Sequence, residues 1–95
     1  MSTERMPYTA SRSNPDPRLS ARLLGEFVQR ARNLDDRPIE QIAPLAALTV
    51  DEWLAIEAGA APDTWEQLLL MGHALYRGPM WMSYLAKFFK GAKAQ

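Results

Sequence analysis

The sequence predicts an all-α domain of five short helices. Apolar residues recur at three- and four-residue spacing in five separate stretches, the pattern of helices that bury one face. Pro38, Gly59, Pro62, Gly78 with Pro79, and Gly91 stand where those stretches begin or end. No run alternates with period two and β-branched residues are scarce, so no strand is expected. At 95 residues the chain is long enough for one domain with a modest core and too short for two.

Residues 1–18 hold Pro7, Pro15 and Pro17 among several Ser and Thr, with no helical periodicity, and read as a flexible arm. Its Arg5, Arg12 and Arg18 suit either a solubilising terminus or an arm that enters a minor groove of DNA. Helix 1 starts at Pro17 or Ser20 and runs to Leu34, with Leu23, Leu24, Phe27, Val28, Ala31 and Leu34 on its core face. It ends in the polar turn Asp35, Asp36, Arg37. Helix 2 opens at Pro38, where a missing amide hydrogen is harmless, and Ile39, Ile42 and Leu45 line one side. Pro44 has to end, kink or tighten it near Ala43.

Helix 3 is expected over residues 49–58, within LTVDEWLAIEAG, and carries its own start and stop. Thr49 and Glu52 spell a capping box, and Gly59 is the residue type that ends a helix in the left-handed conformation. Val50, Trp53, Leu54 and Ile56 supply its apolar positions. Helix 4 runs from Asp63 or Thr64 to Leu75, with Asp63 as N-cap and Glu66 three residues on; Trp65, Leu68, Leu69, Met71 and Leu75 point inward. Helix 5 covers residues 79–90, opened by Pro79 and closed by Gly91. Trp81, Met82, Tyr84, Leu85, Phe88 and Phe89 form a wide apolar band opposite Ser83, Lys87 and Lys90. Covering the core is the first use of such a band. A twofold dimer contact through Trp81, Tyr84, Leu85, Phe88 and Phe89 is the second, and the helix is short for one lying on a membrane.

Composition narrows the function classes. A 47% hydrophobic, 23% charged chain is an ordinary globular protein. With no cysteine there is no disulfide, which suits a reducing compartment. No apolar run reaches the roughly 18–20 residues that span a bilayer, and no signal-peptide core opens the chain, so a cytoplasmic location and no membrane partner are expected. A single histidine, His73, gives no ligand cluster for a metal. There is no phosphate loop or nucleophile motif, and Asp51 and Glu57, six residues apart, do not share a helix face. Neither an enzyme nor a cofactor is expected. The net charge of zero hides a segregation: residues 1–37 carry +2, residues 38–76 carry −6 with no Lys or Arg, and residues 77–95 carry +4 with no acid.

Helices 2 and 3, separated by a few residues, form a helix-turn-helix arrangement. From Leu24 to Leu75 the chain resembles the Cro and phage-repressor (XRE) family of helix-turn-helix transcriptional regulators. LGEFVQRAR at Leu24 to Arg32 is similar to that family's first helix, PIEQIA at Pro38 to Ala43 to its second, and TVDEWLAIEAG to its third, with Ile56, Glu57, Ala58 and Gly59 in the place of an Ile-Glu-x-Gly ending. The resemblance implies a five-helix lambda-repressor-like fold: a helix-turn-helix domain over residues 19–78, the amphipathic helix at 79–91 as the fifth helix, and a tail at 92–95. It also implies a structural ion pair between Arg32 and Glu57, and a homodimer on palindromic DNA.

The function implied is that of a DNA-binding transcriptional regulator. Helix 3 would then face the major groove with Thr49, Val50, Asp51, Glu52 and Ala55, with Gln41 near the backbone. Arg12, Arg18, Arg37, Arg77, Lys87 and Lys90 would supply the phosphate contacts. The chain departs from the family where reading heads are usually polar or basic, because Asp51 and Glu52 face phosphate repulsion and no cation occurs between residues 38 and 76. The alternative is a helix-turn-helix domain that does not bind DNA and takes a basic protein partner on its acidic surface.

Overall fold

The computed structural model describes residues 16–94, and within them the chain is all-helical. Helix α1 spans Pro17–Asn33 and α2 spans Ile39–Ile42, running on as a 3-10 turn over Ala43–Ala46. Then come α3 (Val50–Glu57), α4 (Trp65–Ala74) and α5 (Pro79–Lys93). Helix α1 begins where the Asp16 carboxylate accepts the Arg18 amide at 3.0 Å, with Pro17 in the first turn. Pro17 and Arg18 are therefore helical and not part of an arm. Arg12 lies outside the described residues. Leu34, expected on the core face, is instead the C-cap and 78% exposed: the helix stops one residue earlier and nothing covers the side chain.

Pro44 tightens the second helix into the 3-10 turn. That changes which residues face inward. Ala43 and Ala46 are buried with Ile42, while Leu45 is turned out and 57% exposed. The expected apolar side of Ile39, Ile42 and Leu45 is corrected to Ile42, Ala43 and Ala46, with Ile39 half-buried. In α3 the capping box is complete, Thr49 Oγ1 accepting the Glu52 amide at 3.0 Å and Glu52 Oε1 the Thr49 amide at 2.8 Å. Leu54, grouped with the apolar positions, is 42% exposed. In α4 the N-cap is Thr64, which accepts the Gln67 amide at 3.1 Å, while Gln67 Oε1 accepts the Asp63 amide at 3.1 Å. The Asp63 and Glu66 reading is one residue out of register with this Thr-x-x-Gln pair. Gly91 does not end α5. It is buried inside the helix, where an added Cβ would meet the Ser20 Cβ at 2.9 Å, so it marks a close crossing with α1.

Three of the helical segments close in the same way. Ala47, Gly59 and Tyr76 have φ of 59, 118 and 58°, and the amide after each reaches back five residues: Leu48 to Ala43, Ala60 to Ala55, and Arg77 to Gly72, at 3.1, 2.9 and 2.8 Å. These are Schellman endings, which satisfy the last carbonyls without help from side chains. Only Gly59 has the residue type that takes the conformation without steric cost.

Trp53 sits fully buried in a core with Leu24, Val28, Ile42, Leu68, Met71 and Leu85. The most extensive helix packing joins α1 and α5. They run antiparallel, since Ser20 meets Gly91 at one end and Phe27 meets the Tyr84 and Phe88 rings at 5.1 and 5.5 Å further along. No helix among the described residues is long and apolar enough to cross a membrane.

Candidate functional site

Helix α3 is held by its inner side, and that decides what its outer side can offer. Gly25 of α1 lies so close that an added Cβ would stand 2.6 Å from the Glu57 carbonyl oxygen. Arg32 grips the Glu57 carboxylate with both ends of its guanidinium, Nε to Oε2 at 2.5 Å and Nη2 to Oε1 at 3.0 Å. The Trp53 indole donates to Glu57 Oε2 at 2.8 Å. Glu57 is 7% exposed, so every acceptor it brings inside has a donor. The bond to Glu57 raises the Arg32 pKa, against a burial effect that lowers it. The Arg32 and Glu57 pair thus clamps α3 to α1 and leaves both groups out of any binding role.

Facing outward on α3 are Thr49, Asp51, Glu52, Leu54, Ala55 and Ala58. Thr49 and Glu52 already bond one another in the cap. Val50 is half-buried and packed on the core, and Gln41 is exposed on α2. Beside α3 a hollow of about 170 Å³ is lined by Leu48, Glu52, Ala55, Ile56, Ala60, Ala61, Asp63 and Gln67. It contains two carboxylates and no cation.

The cations expected to hold phosphates are placed elsewhere. Arg37 is already occupied: it bonds Asp35 through Nε and Nη2 at 2.9 and 2.7 Å, donates from Nη2 to the Ala74 carbonyl at 2.6 Å, and lies 4.5 Å from the Tyr76 ring centre. Arg37's side-chain and backbone bonds hold the Asp35 carboxyl at about 2, below its usual 3.8. Arg77 is half-buried, and its Nε is buried with no hydrogen-bond partner. Arg18 is exposed in the first turn of α1, and Lys87 and Lys90 are exposed on α5. Of the residues considered for a dimer contact, Leu85 is fully buried in the chain's own core and offers no surface. Trp81, Phe88 and Phe89 are half-buried; Phe88 packs at a tilt against Phe27, and Phe89 meets Trp65 edge-to-face. Tyr84 is 49% exposed.

No family model matches the chain, and no curated protein or solved structure matches it.

Sequence reasoning missed Tyr76 and Met80, which are 79% and 87% exposed. Gly78, two residues after Tyr76, drew attention as the breaker, although the left-handed residue is Tyr76 itself.

The electrostatics of the α3 face can be put in magnitudes. A carboxylate about 6 Å from a phosphate in a water-like dielectric is repelled by roughly 0.7 kcal/mol. Asp51, Glu52 and Asp63 together would oppose a duplex by about 2 kcal/mol, or roughly thirtyfold in affinity. Nonspecific DNA binding itself amounts to only about 10⁻⁴ to 10⁻⁶ M, so an opposing effect of that size removes much of it unless cations at the interface compensate.

Proposed function

We propose that this chain is a helix-turn-helix regulatory domain that recognises a basic protein segment with the outward face of α3, in place of DNA. The observation that carries the reading is charge: Asp51 and Glu52 are exposed on α3 and Asp63 lines the hollow beside it, with no Lys or Arg anywhere between residues 38 and 76. A Lys- or Arg-bearing segment would find carboxylate acceptors, with exposed Leu54, Ala55 and Ala58 as apolar ground between them. A second reading, a DNA-binding transcriptional regulator of the XRE type, is favoured by the outward presentation of α3 and by exposed Arg18, Lys87 and Lys90. Either role would be exercised in the cytoplasm.

Titration with random-sequence duplex DNA across salt concentrations separates the two. The protein-binding reading expects no association tighter than about 10⁻⁴ M even at low salt. It also expects a Lys-rich peptide to bind, and Asp51→Asn with Asp63→Asn to weaken that peptide by about fivefold. Micromolar DNA binding that falls steeply with salt would sink the protein-binding reading and support the second.

A further inference from the structure

Where α1 stops and α5 begins, the surface collects apolar side chains that the core does not use. Leu34, Tyr76 and Met80 are each more than three-quarters exposed. Tyr76, Arg77, Pro79, Met80, Trp81 and Tyr84 line a groove of about 610 Å³. A second hollow of about 360 Å³ shares Arg77, Gly78 and Pro79 with the groove and reaches in to Trp65, Leu69 and Met82. None of these residues belongs to the α3 face.

Two features mark this groove. Tyr76 takes φ 58° in closing α4, and its ring lies in solvent. The ring builds one wall of the groove, backed by the Arg37 guanidinium. The second feature is Arg77, which lines both hollows with a buried Nε that has no acceptor. A buried charged donor left without a partner is a place where a ligand acceptor is favoured.

The surrounding charge points the same way. Arg30, 5.5 Å from the centre of the Phe27 ring that meets Tyr84, and Lys87, one turn beyond Tyr84, are exposed. The nearby carboxylate Asp35 is taken by Arg37. Glu26 and Asp36 are the exposed acids of α1 and the turn that follows it. With Arg37 and Asp35 paired to each other, the cations Arg30, Arg77 and Lys87 outnumber these two acids by one.

We propose that this groove binds an acidic amphipathic helix of a partner protein. Its apolar face would lie across Tyr76, Met80 and Tyr84, and one of its carboxylates would pair with Arg77. This is the helix-in-groove mode, in which apolar anchors give affinity and a buried charge pair gives selectivity.

The test uses the full 95-residue chain and a fluorescein-labelled helical peptide of about 15 residues with Leu and Phe at helical spacing and Glu beside them, compared with its Glu→Gln and Glu→Lys versions. Anisotropy should show the Glu peptide binding about tenfold more tightly than the Lys peptide. Tyr76→Gly relieves the backbone and should weaken the Glu peptide by about fivefold, while its unfolding midpoint shows that the domain remains folded. Arg77→Gln should erase the preference for Glu over Gln. Absence of saturable binding by the Glu peptide, equal binding of all three peptides, or a Tyr76→Gly variant that binds as well as the parent would overturn the proposal. So would competition for the groove by phosphatidylserine vesicles alone, or sedimentation showing that a second copy of the chain fills it.

Discussion

Removing Arg32 should be the most damaging single change on the surface of α1, because it strands a carboxylate that is inside the protein. In Arg32→Met the Glu57 side chain, 2% exposed, keeps only the Trp53 indole as a donor. Breaking a fully buried pair costs about 3–5 kcal/mol. Arg32 is 21% exposed on its side chain, so water can partly replace it, and the loss should be nearer 2–3 kcal/mol. A domain of this size has roughly 4–12 kcal/mol in all. With a urea m-value of about 1 kcal/mol/M, the unfolding midpoint should fall by about 2–3 M, read from tryptophan fluorescence or circular dichroism. Glu57→Gln should lose less, because the amide oxygen still accepts from Trp53. The double replacement Arg32→Met with Glu57→Met should recover about 1.5–3 kcal/mol relative to the sum of the single changes. A loss below about 1 kcal/mol for Arg32→Met, or strict additivity in the cycle, would refute the clamp as the connection between α1 and α3.

Ala47→Gly should raise stability by about 0.5–1 kcal/mol, since relief of the left-handed backbone exceeds the added freedom of the unfolded chain; a thermal melt checks it. Gly25→Ala should lose about 2–3 kcal/mol in the same melt, because its Cβ would meet the backbone carbonyl of Glu57, which cannot swing away as a side chain can. Asp35→Asn tests the pH linkage. A folded pKa of about 2 against 3.8 in the unfolded chain means that the carboxylate stabilises the fold above about pH 4. That contribution is lost as the pH falls through 2. The variant should therefore be less stable than the parent at neutral pH, and the difference should close between about pH 4 and pH 2 in acid titrations followed by circular dichroism.

Local hydrogen bonding is what made parts of this structure readable from its sequence. The capping box of α3 depends on Thr49 and Glu52 alone, and its ending on Gly59, so both could be placed without knowledge of the rest of the fold. The N-cap of α4 was equally local, but two overlapping signals, Asp63 with Glu66 and Thr64 with Gln67, differ by one residue; only the second pair has a hydroxyl to cap with and an amide to reach back. What depended on distant residues was not legible. Gly91 reads as a stop until Ser20 of α1 is found against it. Arg37 reads as a free cation until its bond to the Ala74 carbonyl closes the turn after α1 onto the end of α4. Leu45 reads as core from its spacing to Ile39 and Ile42, but in the segment that contains Pro44 it is Ala43 and Ala46 that pack inward. For the candidate site, the acidity of α3 was visible in composition. The aromatic groove was not, because Tyr76 and Met80 become neighbours only when α4 ends and α5 begins in their observed orientation.

The hydrogen bond from Trp53 to Glu57 also gives the molecule a built-in clock. Trp53 is fully buried, and its indole proton is engaged by a carboxylate that is itself held by Arg32. That proton can exchange with deuterium only in excursions that part α3 from α1, whereas Trp65 and Trp81 are half-buried and have no such seal. Three indole resonances in one spectrum would therefore run at separate rates. The slowest would time the opening of the helix-turn-helix, without a label and without disturbing either exposed face.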